Sequence, residues 1–126
     1  RSTLFPYTTL FRSLADACCA LPRAGLLLLG APDALRPGAL QTETEAETEG
    51  DCGRPLWLGL AQRMQRRQAQ AAQAAWWPWQ DAMGGPCTAR RWQAEGLMAP
   101  DGVHFTPAGY ARAARQLADS LARLAG

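Results

Sequence analysis

Residues 24–33 read AGLLLLGAPD, with four consecutive leucines between Gly25 and Gly30. A short apolar run bounded by glycine and proline is typical of a β-strand that is buried on both faces, as in a parallel sheet. Leucine also suits a helix, but the short length and the flanking breakers favour a strand. The stretch therefore predicts one buried strand.

Downstream of this strand, residues Leu56–Ala75 predict one helix. Leu56, Leu60 and Met64 recur every four residues, which indicates an apolar stripe that covers one face of a core. The segment AAWWPWQD follows, and Ala74–Trp77 predicts a second short strand. Proline cannot donate to a central ladder, so the strand should end at Pro78.

Two helices are predicted beyond this second strand. Thr88 is a good N-cap for a short helix at Ala89–Glu95. Thr106 and the following proline predict the start of a terminal helix at Pro107–Leu124. One stripe of that helix carries Tyr110, Ala114, Leu117, Leu121 and Leu124. Strands that alternate with helices predict an α/β layer with parallel strands.

The first 13 residues, RSTLFPYTTLFRS, differ in composition from the rest: they contain no alanine and repeat the triplet TLF. They look like translated sequencing-adapter DNA, and an ordinary N-terminal arm is the alternative. We expect residues 14–126 to be the C-terminal part of one domain, because two strands are too few for a stable parallel sheet. Leu14–Leu21 predicts the end of a helix that is stopped by Pro22.

An acidic stretch separates the first strand from the long helix. Its centre, QTETEAETEGD, alternates threonine with glutamate. Runs of like charge bury too little apolar area to become ordered. We expect a disordered acidic loop at about residues 38–54, a solvated insertion in preference to a binding surface.

Composition excludes several classes of partner. A net charge of +2 over 126 residues is too small to indicate a nucleic-acid or membrane-surface partner. No apolar run approaches the roughly 20 residues that a transmembrane segment needs. The four cysteines include no C-x-x-C pair, so metal-ligand spacing is absent. A Cys52–Cys87 disulfide is open, since spacing alone does not set connectivity.

The stretch with catalytic potential is DGVHFTPAGYARAARQLADSL, residues 101–121, which holds the only histidine of the chain. A turn can bring the Asp101 carboxylate to one ring nitrogen of His104, while the other nitrogen accepts a proton from a nucleophile. A D-x-x-H pair also arises often as a capping or surface feature. A metal site at His104 with Asp101 and Cys87 is poorly supported, because no second ligand lies at a suitable spacing. No metal and no cofactor are expected.

Several spaced blocks of this chain resemble one family. DGVHFTPAGYARAA resembles the C-terminal block of the SGNH hydrolases, also called GDSL esterases. LLLLGAPDALRP is similar to a family strand and loop that usually end in G-P-P-D. WWPWQDAMGGPCTARRWQAEGLMAPDGVHFTPAGY is similar to a bacterial subgroup with an F-W-D-W-like stretch followed by M-G-G-P. The resemblance covers about Leu14–Leu124.

The resemblance implies a partial three-layer α/β/α, flavodoxin-like fold whose N-terminal strands are missing. It implies a serine esterase or acylhydrolase with a Ser-His-Asp triad, in which His104 is the base and Asp101 orients it. Gly84 and Gly85 match a loop at the substrate cleft, although a tight turn with positive φ explains them equally well. Pro78 stands where the subgroup often has aspartate and receives no role. The implied substrate is a small-molecule or carbohydrate ester, with O-acetyl groups on carbohydrate or cell wall as one candidate, and the implied location is periplasmic or secreted.

The nucleophile of the implied triad is absent from these residues, and so is the asparagine of the oxyanion hole. The chain has no G-D-S block for the nucleophile and no asparagine for the oxyanion hole. Its serines are Ser2, Ser13 and Ser120. We therefore predict that this chain is inactive alone. The alternative is a non-catalytic α/β binding or structural module that uses its Trp-rich segment, and the oligomeric state stays open.

Overall fold

The structure is a computed structural model that describes Asp16, Ala20, residues 25–37 and residues 52–125. Two strands and four helices follow one another in these residues. In chain order they are β1 (Leu27–Leu29), α1 (Leu58–Ala71), β2 (Ala75–Trp77), α2 (Trp79–Met83), α3 (Ala89–Ala94) and α4 (Pro107–Ala125). They fall into two compact units, which we call the sheet unit (residues 25–30 and 59–77) and the core unit (residues 31–37, 52–58 and 78–125).

The sheet unit contains β1 and β2 side by side. The two strands run parallel, in the register Leu27 with Ala75, Leu28 with Trp76 and Leu29 with Trp77. The pairing is continued at its ends, where the Ala75 N–H donates to the Leu26 carbonyl at 2.8 Å and the Gly30 N–H to the Trp77 carbonyl at 2.9 Å. The predicted α/β arrangement with parallel strands is confirmed.

The predicted burial of β1 on both faces is wrong. Leu27 and Leu28 are half-buried, and Leu29 is 41% exposed. Among the described residues β2 is the one strand beside β1. A strand with one neighbour keeps much of its apolar surface in water, whatever its composition.

Helix α1 begins at Leu58 and ends at Ala71, inside the predicted range of Leu56–Ala75. The chain leaves the helix because Gln73 has a φ of 51°, which is not helical. The predicted apolar face is wrong: Leu56, Leu60 and Met64 are 87%, 41% and 44% exposed. The covered stripe is centred on Ala69, which is fully buried. Alanine adds little to a hydropathy pattern, so its burial here was not predicted.

The core unit is built around a cluster of buried apolar side chains. The cluster contains Leu35, Met83, Ala89, Trp92, Leu97, Met98 and Phe105, with the half-buried Trp79 packed against it. The Trp92 indole N–H donates to the Met83 carbonyl at 3.0 Å, so its polar atom is satisfied inside the core. The Phe105 ring stacks on Trp79 with 5.2 Å between ring centroids, and it packs edge to face on Trp92 with 5.6 Å between centroids.

Helix α3 begins at Ala89 as predicted, but the predicted capping by the Thr88 side chain is wrong. Thr88 lies in the helical region at φ −95° and makes no side-chain cap hydrogen bond. Its hydroxyl donates instead to the Gly85 carbonyl at 2.8 Å. The backbone N–H groups of Thr88 and Ala89 are bound by the carboxylate of Asp33, 55 and 56 residues away. The cap is therefore supplied by a tertiary contact.

Helix α4 begins after Thr106, as predicted. The Thr106 hydroxyl accepts the Gly109 N–H at 3.2 Å, which is the expected N-cap geometry. On the apolar stripe of this helix Tyr110, Ala114 and Leu121 are exposed, and the buried positions are Gly109 and Ala113. A Cβ at position 109 would collide with the Leu97 carbonyl, so the helix approaches its neighbour through its smallest residue.

Several predictions concern residues that the structure does not describe. Residues 1–13 and most of Leu14–Leu21 and of the acidic stretch are among them, and those predictions stay untested. The last residues of that predicted loop are described and held. Cys52 forms a disulfide with Cys87, and Arg54 pairs with Asp33. In the part of the chain that the structure describes, no helix is long and apolar enough to cross a membrane.

The Cys52–Cys87 disulfide joins Cα atoms that are 5.4 Å apart and closes a loop with a sequence separation of 35. We expect its reduction to lower the free energy of unfolding by about 4 kcal/mol, because the open chain regains loop entropy. Urea unfolding with and without dithiothreitol, followed by tryptophan fluorescence, measures the difference. A Cys18→Ser/Cys19→Ser variant is the control and should remain sensitive to the reductant, whereas Cys52→Ser/Cys87→Ser should not respond.

Candidate active site

The only histidine lies in a short loop that an antiparallel bridge closes. Met98 pairs with Phe105 in that bridge. The Ala99 N–H donates to the His104 carbonyl at 2.7 Å, and the Thr106 N–H donates to the Leu97 carbonyl at 3.1 Å. The pair Asp101 and His104 is therefore held between two backbone contacts at the base of α4.

Within this loop the structure brings Asp101 and His104 together. Asp101 Oδ2 lies 2.6 Å from His104 Nδ1. Asp101 Oδ1 accepts the backbone N–H groups of Val103 and His104, each at 2.9 Å. One oxygen thus fixes the turn and the other contacts the ring. This is the folded-back turn that a D-x-x-H pair needs if the carboxylate is to orient the imidazole.

The contact determines which ring nitrogen can take part in chemistry. Because Nδ1 faces a carboxylate, the neutral imidazole carries its proton there and leaves the Nε2 lone pair as the proton acceptor. The side chain of His104 is 74% exposed and that of Asp101 is 49% exposed. The pair is therefore accessible to a substrate from solvent.

The same hydrogen bonds lower the pKa of Asp101 from 3.8 to about 2. The largest cause is the hydrogen bond from the His104 ring, followed by the backbone N–H groups of His104 and Val103. The carboxylate is thus ionised throughout the pH range in which a histidine base operates. Its ionised form favours the folded turn, an effect fully present above pH 3.8 and lost as the pH falls through about 2.

Gly102 allows the turn between the two side chains. Its φ is +68°, in the left-handed region that favours glycine. A Cβ at this position would also lie 2.7 Å from the Leu35 Cβ. Phe105, the residue after His104, packs in the core and anchors the loop further.

A buried carboxylate at Asp33 was missed by the sequence reasoning, although AGLLLLGAPD ends on it. Its side chain is fully buried. Oδ1 accepts from Arg54 Nε at 2.8 Å and Gln80 Nε2 at 3.0 Å, and Oδ2 accepts the N–H groups of Thr88 at 2.8 Å and Ala89 at 3.0 Å. The available signal was an aspartate four residues after an apolar strand, with an arginine as the partner that a buried acid requires.

Gly84 and Gly85 form the turn between α2 and α3. Their φ values are +114° and +95°, so the tight-turn explanation is confirmed. The Gly84 N–H donates to the Asp81 backbone carbonyl at 3.0 Å, and the Gly85 N–H donates to the Gln80 backbone carbonyl at 2.9 Å. Asp101 and His104 are not among these partners, and the proposed place of the two glycines at a substrate cleft stays a prediction.

Ser120 and Cys87 both have partners that are unrelated to the Asp101–His104 pair. The Ser120 hydroxyl donates to the Gln116 carbonyl at 2.8 Å within α4, a bond that serves the helix. Cys87 is bonded to Cys52, which removes it from the metal set considered with Asp101 and His104. Within residues 25–37 and 52–125, and at Asp16 and Ala20, no three His, Cys, Asp or Glu side chains converge to hold a metal.

We expect the Asp101 carboxyl to be mostly ionised at a pH midway between 3.8 and its value of about 2. Carbon-detected NMR titration of the side chain measures this directly. In His104→Ala the strongest of the three hydrogen bonds is lost, so the midpoint should move up toward 3.8. Val103→Ala keeps its backbone N–H and is the control that should leave the midpoint in place. An unchanged midpoint in His104→Ala would contradict the described pairing.

Comparison with known proteins gives one informative match. No family model matches the chain, and no curated protein matches it. Among solved structures, the chain is similar to a peptidoglycan O-acetylesterase, with 40% identity and a TM-score of 0.73. The similarity covers 98% of this chain and 34% of that chain, so our chain spans about a third of the solved protein's length. The chain therefore has a partial α/β fold that matches one section of an esterase.

Proposed function

We propose that this chain is part of a serine esterase that removes O-acetyl groups from carbohydrate of the peptidoglycan class. The observation that carries the proposal is the Asp101–His104 contact, 2.6 Å long, in a chain 40% identical over its length to a peptidoglycan O-acetylesterase. The sequence resemblance to SGNH hydrolases supports the finer assignment to a Ser-His-Asp triad. The nucleophilic serine and the oxyanion donors would lie outside these 126 residues.

In the proposed reaction a serine hydroxyl attacks the acetyl carbonyl carbon. His104 Nε2 accepts the hydroxyl proton as the new C–O bond forms, and the Asp101 carboxylate stabilises the resulting imidazolium through Nδ1–H. The tetrahedral intermediate collapses, the C–O bond to the sugar breaks, and His104 returns the proton to the leaving alcohol. Water, activated by the same imidazole, then releases acetate from the acetyl-serine.

The alternative is a non-catalytic binding module that presents its Trp-rich segment. Burial argues against that use of the segment. Trp77 is 6% exposed, and Trp79 stacks on Phe105 against the core. The Trp79 indole contributes to packing within the core unit. Trp57 is 75% exposed, but it precedes α1 and is not part of that segment.

We expect no esterase turnover from this chain alone. Loss of a single oxyanion donor reduces kcat by roughly 10²- to 10³-fold, and without a nucleophile no acyl-enzyme forms. Hydrolysis of p-nitrophenyl acetate by the purified chain, compared with His104→Ala, measures this. A rate in the usual enzyme range that His104→Ala abolishes would contradict the expectation.

The full proposal is tested in a longer protein recovered by re-sequencing the source DNA upstream of Leu14. We expect acetate release from O-acetylated peptidoglycan, and a loss on the order of 10⁴-fold or more in His104→Ala, because the base is removed. Asp101→Asn should lose activity as well, since an amide favours the wrong tautomer. Val103→Ala, an exposed neighbour in the same loop, is the matched control. An upstream reading frame without a serine block, or full activity in His104→Ala, would overturn the proposal.

A further inference from the structure

The Asp33 carboxylate connects three separate parts of the core unit. Arg54 comes from the segment after Cys52, Gln80 from α2, and the two N–H groups from the start of α3. All four hydrogen bonds lie between 2.8 and 3.0 Å, and the acid is 0% exposed. A charge that is buried with both oxygens occupied has one low-energy orientation, and it fixes the backbone that carries it.

Two residues after Asp33, Leu35 contacts the loop that carries Asp101 and His104. The Leu35 N–H donates to the Gly102 carbonyl at 2.9 Å. The Leu35 side chain, 1% exposed, lies against the Gly102 Cα, where there is no room for a Cβ. Next along the chain, the Arg36 N–H donates to the Gly53 carbonyl at 2.7 Å, which ties the same segment to the neighbour of Arg54.

We propose that Asp33 is a positioning residue for the Asp101–His104 pair, acting through the contact of Leu35 with Gly102. This inference rests on the proposed function, in which the pair is the base and its orienting acid. The hydrogen bonds of the exposed pair form only while the chain keeps its turn at Gly102. That turn is held from beneath by Leu35, whose own position depends on the buried acid.

Asp33→Asn tests the inference. The carboxamide has one acceptor oxygen, so its NH₂ group would face either Arg54 and Gln80 or the N–H groups of α3, and two of the four hydrogen bonds would be replaced by opposed donors. We expect the loop to populate other conformations, and the NMR titration midpoint of Asp101 to rise from about 2 toward 3.8. Ala118→Gly, at an exposed position in the interior of α4, is the control that lowers stability without moving the midpoint.

A second variant keeps the test decisive if Asp33→Asn does not fold. Gln80→Met removes one of the four donors and retains the side-chain volume, and should move the Asp101 midpoint in the same direction by a smaller amount. A midpoint that stays at about 2 in the folded variants would overturn the inference. The titration requires no hydrolysis, so it separates this outcome from failure of the proposed function, which would appear as a lack of acetate release from the longer protein with Asp33 intact.

Discussion

The ion pair between the fully buried Asp33 and the partly buried Arg54 is the constraint around which the core unit is arranged. Removing Arg54 destabilises the fold, because the Asp33 charge stays buried without its counter-charge. Here the charge is also shared with an amide and two backbone N–H groups, so several segments must arrive in register before the acid is satisfied. The core unit consequently has few alternative ways to pack. The main effect of this buried hydrogen-bond network is to select one packing arrangement.

The candidate catalytic pair illustrates a division between local and tertiary control. The contact of Asp101 with His104 depends on three residues of spacing, on a left-handed glycine and on two backbone N–H groups of the turn. These contacts form within the loop, and the turn at Gly102 is also held by the Leu35 N–H from outside it. The stacking of Phe105 on Trp79 and the N-cap at Thr106 then join the loop to the core and to α4. An exposed imidazole can in this way sit on a rigid support while remaining open to a substrate.

The same division explains what could be predicted from the sequence. Local signals succeeded: the leucine run and its glycines marked β1, Thr106 marked the start of α4, and Asp101 with His104 marked the turn. Partners that are distant in sequence were missed, since those of Asp33 lie 21 to 56 residues away. The covered faces of α1 and α4 were also missed, because both helices are covered at small residues, Ala69 and Gly109, whose role depends on how closely a neighbour approaches.

The disulfide between Cys52 and Cys87 has a topological consequence. It turns residues 52–87 into a covalent ring that includes α1, β2 and α2, with Arg54 near one end of the ring and Thr88 just outside it. A bond of this kind is typical of proteins that work in an oxidising compartment. A peptidase cut at an exposed arginine of α1 would open the ring without releasing either piece. The two donors that meet at Asp33 would remain on one molecule, and the nicked protein would separate into fragments only after reduction.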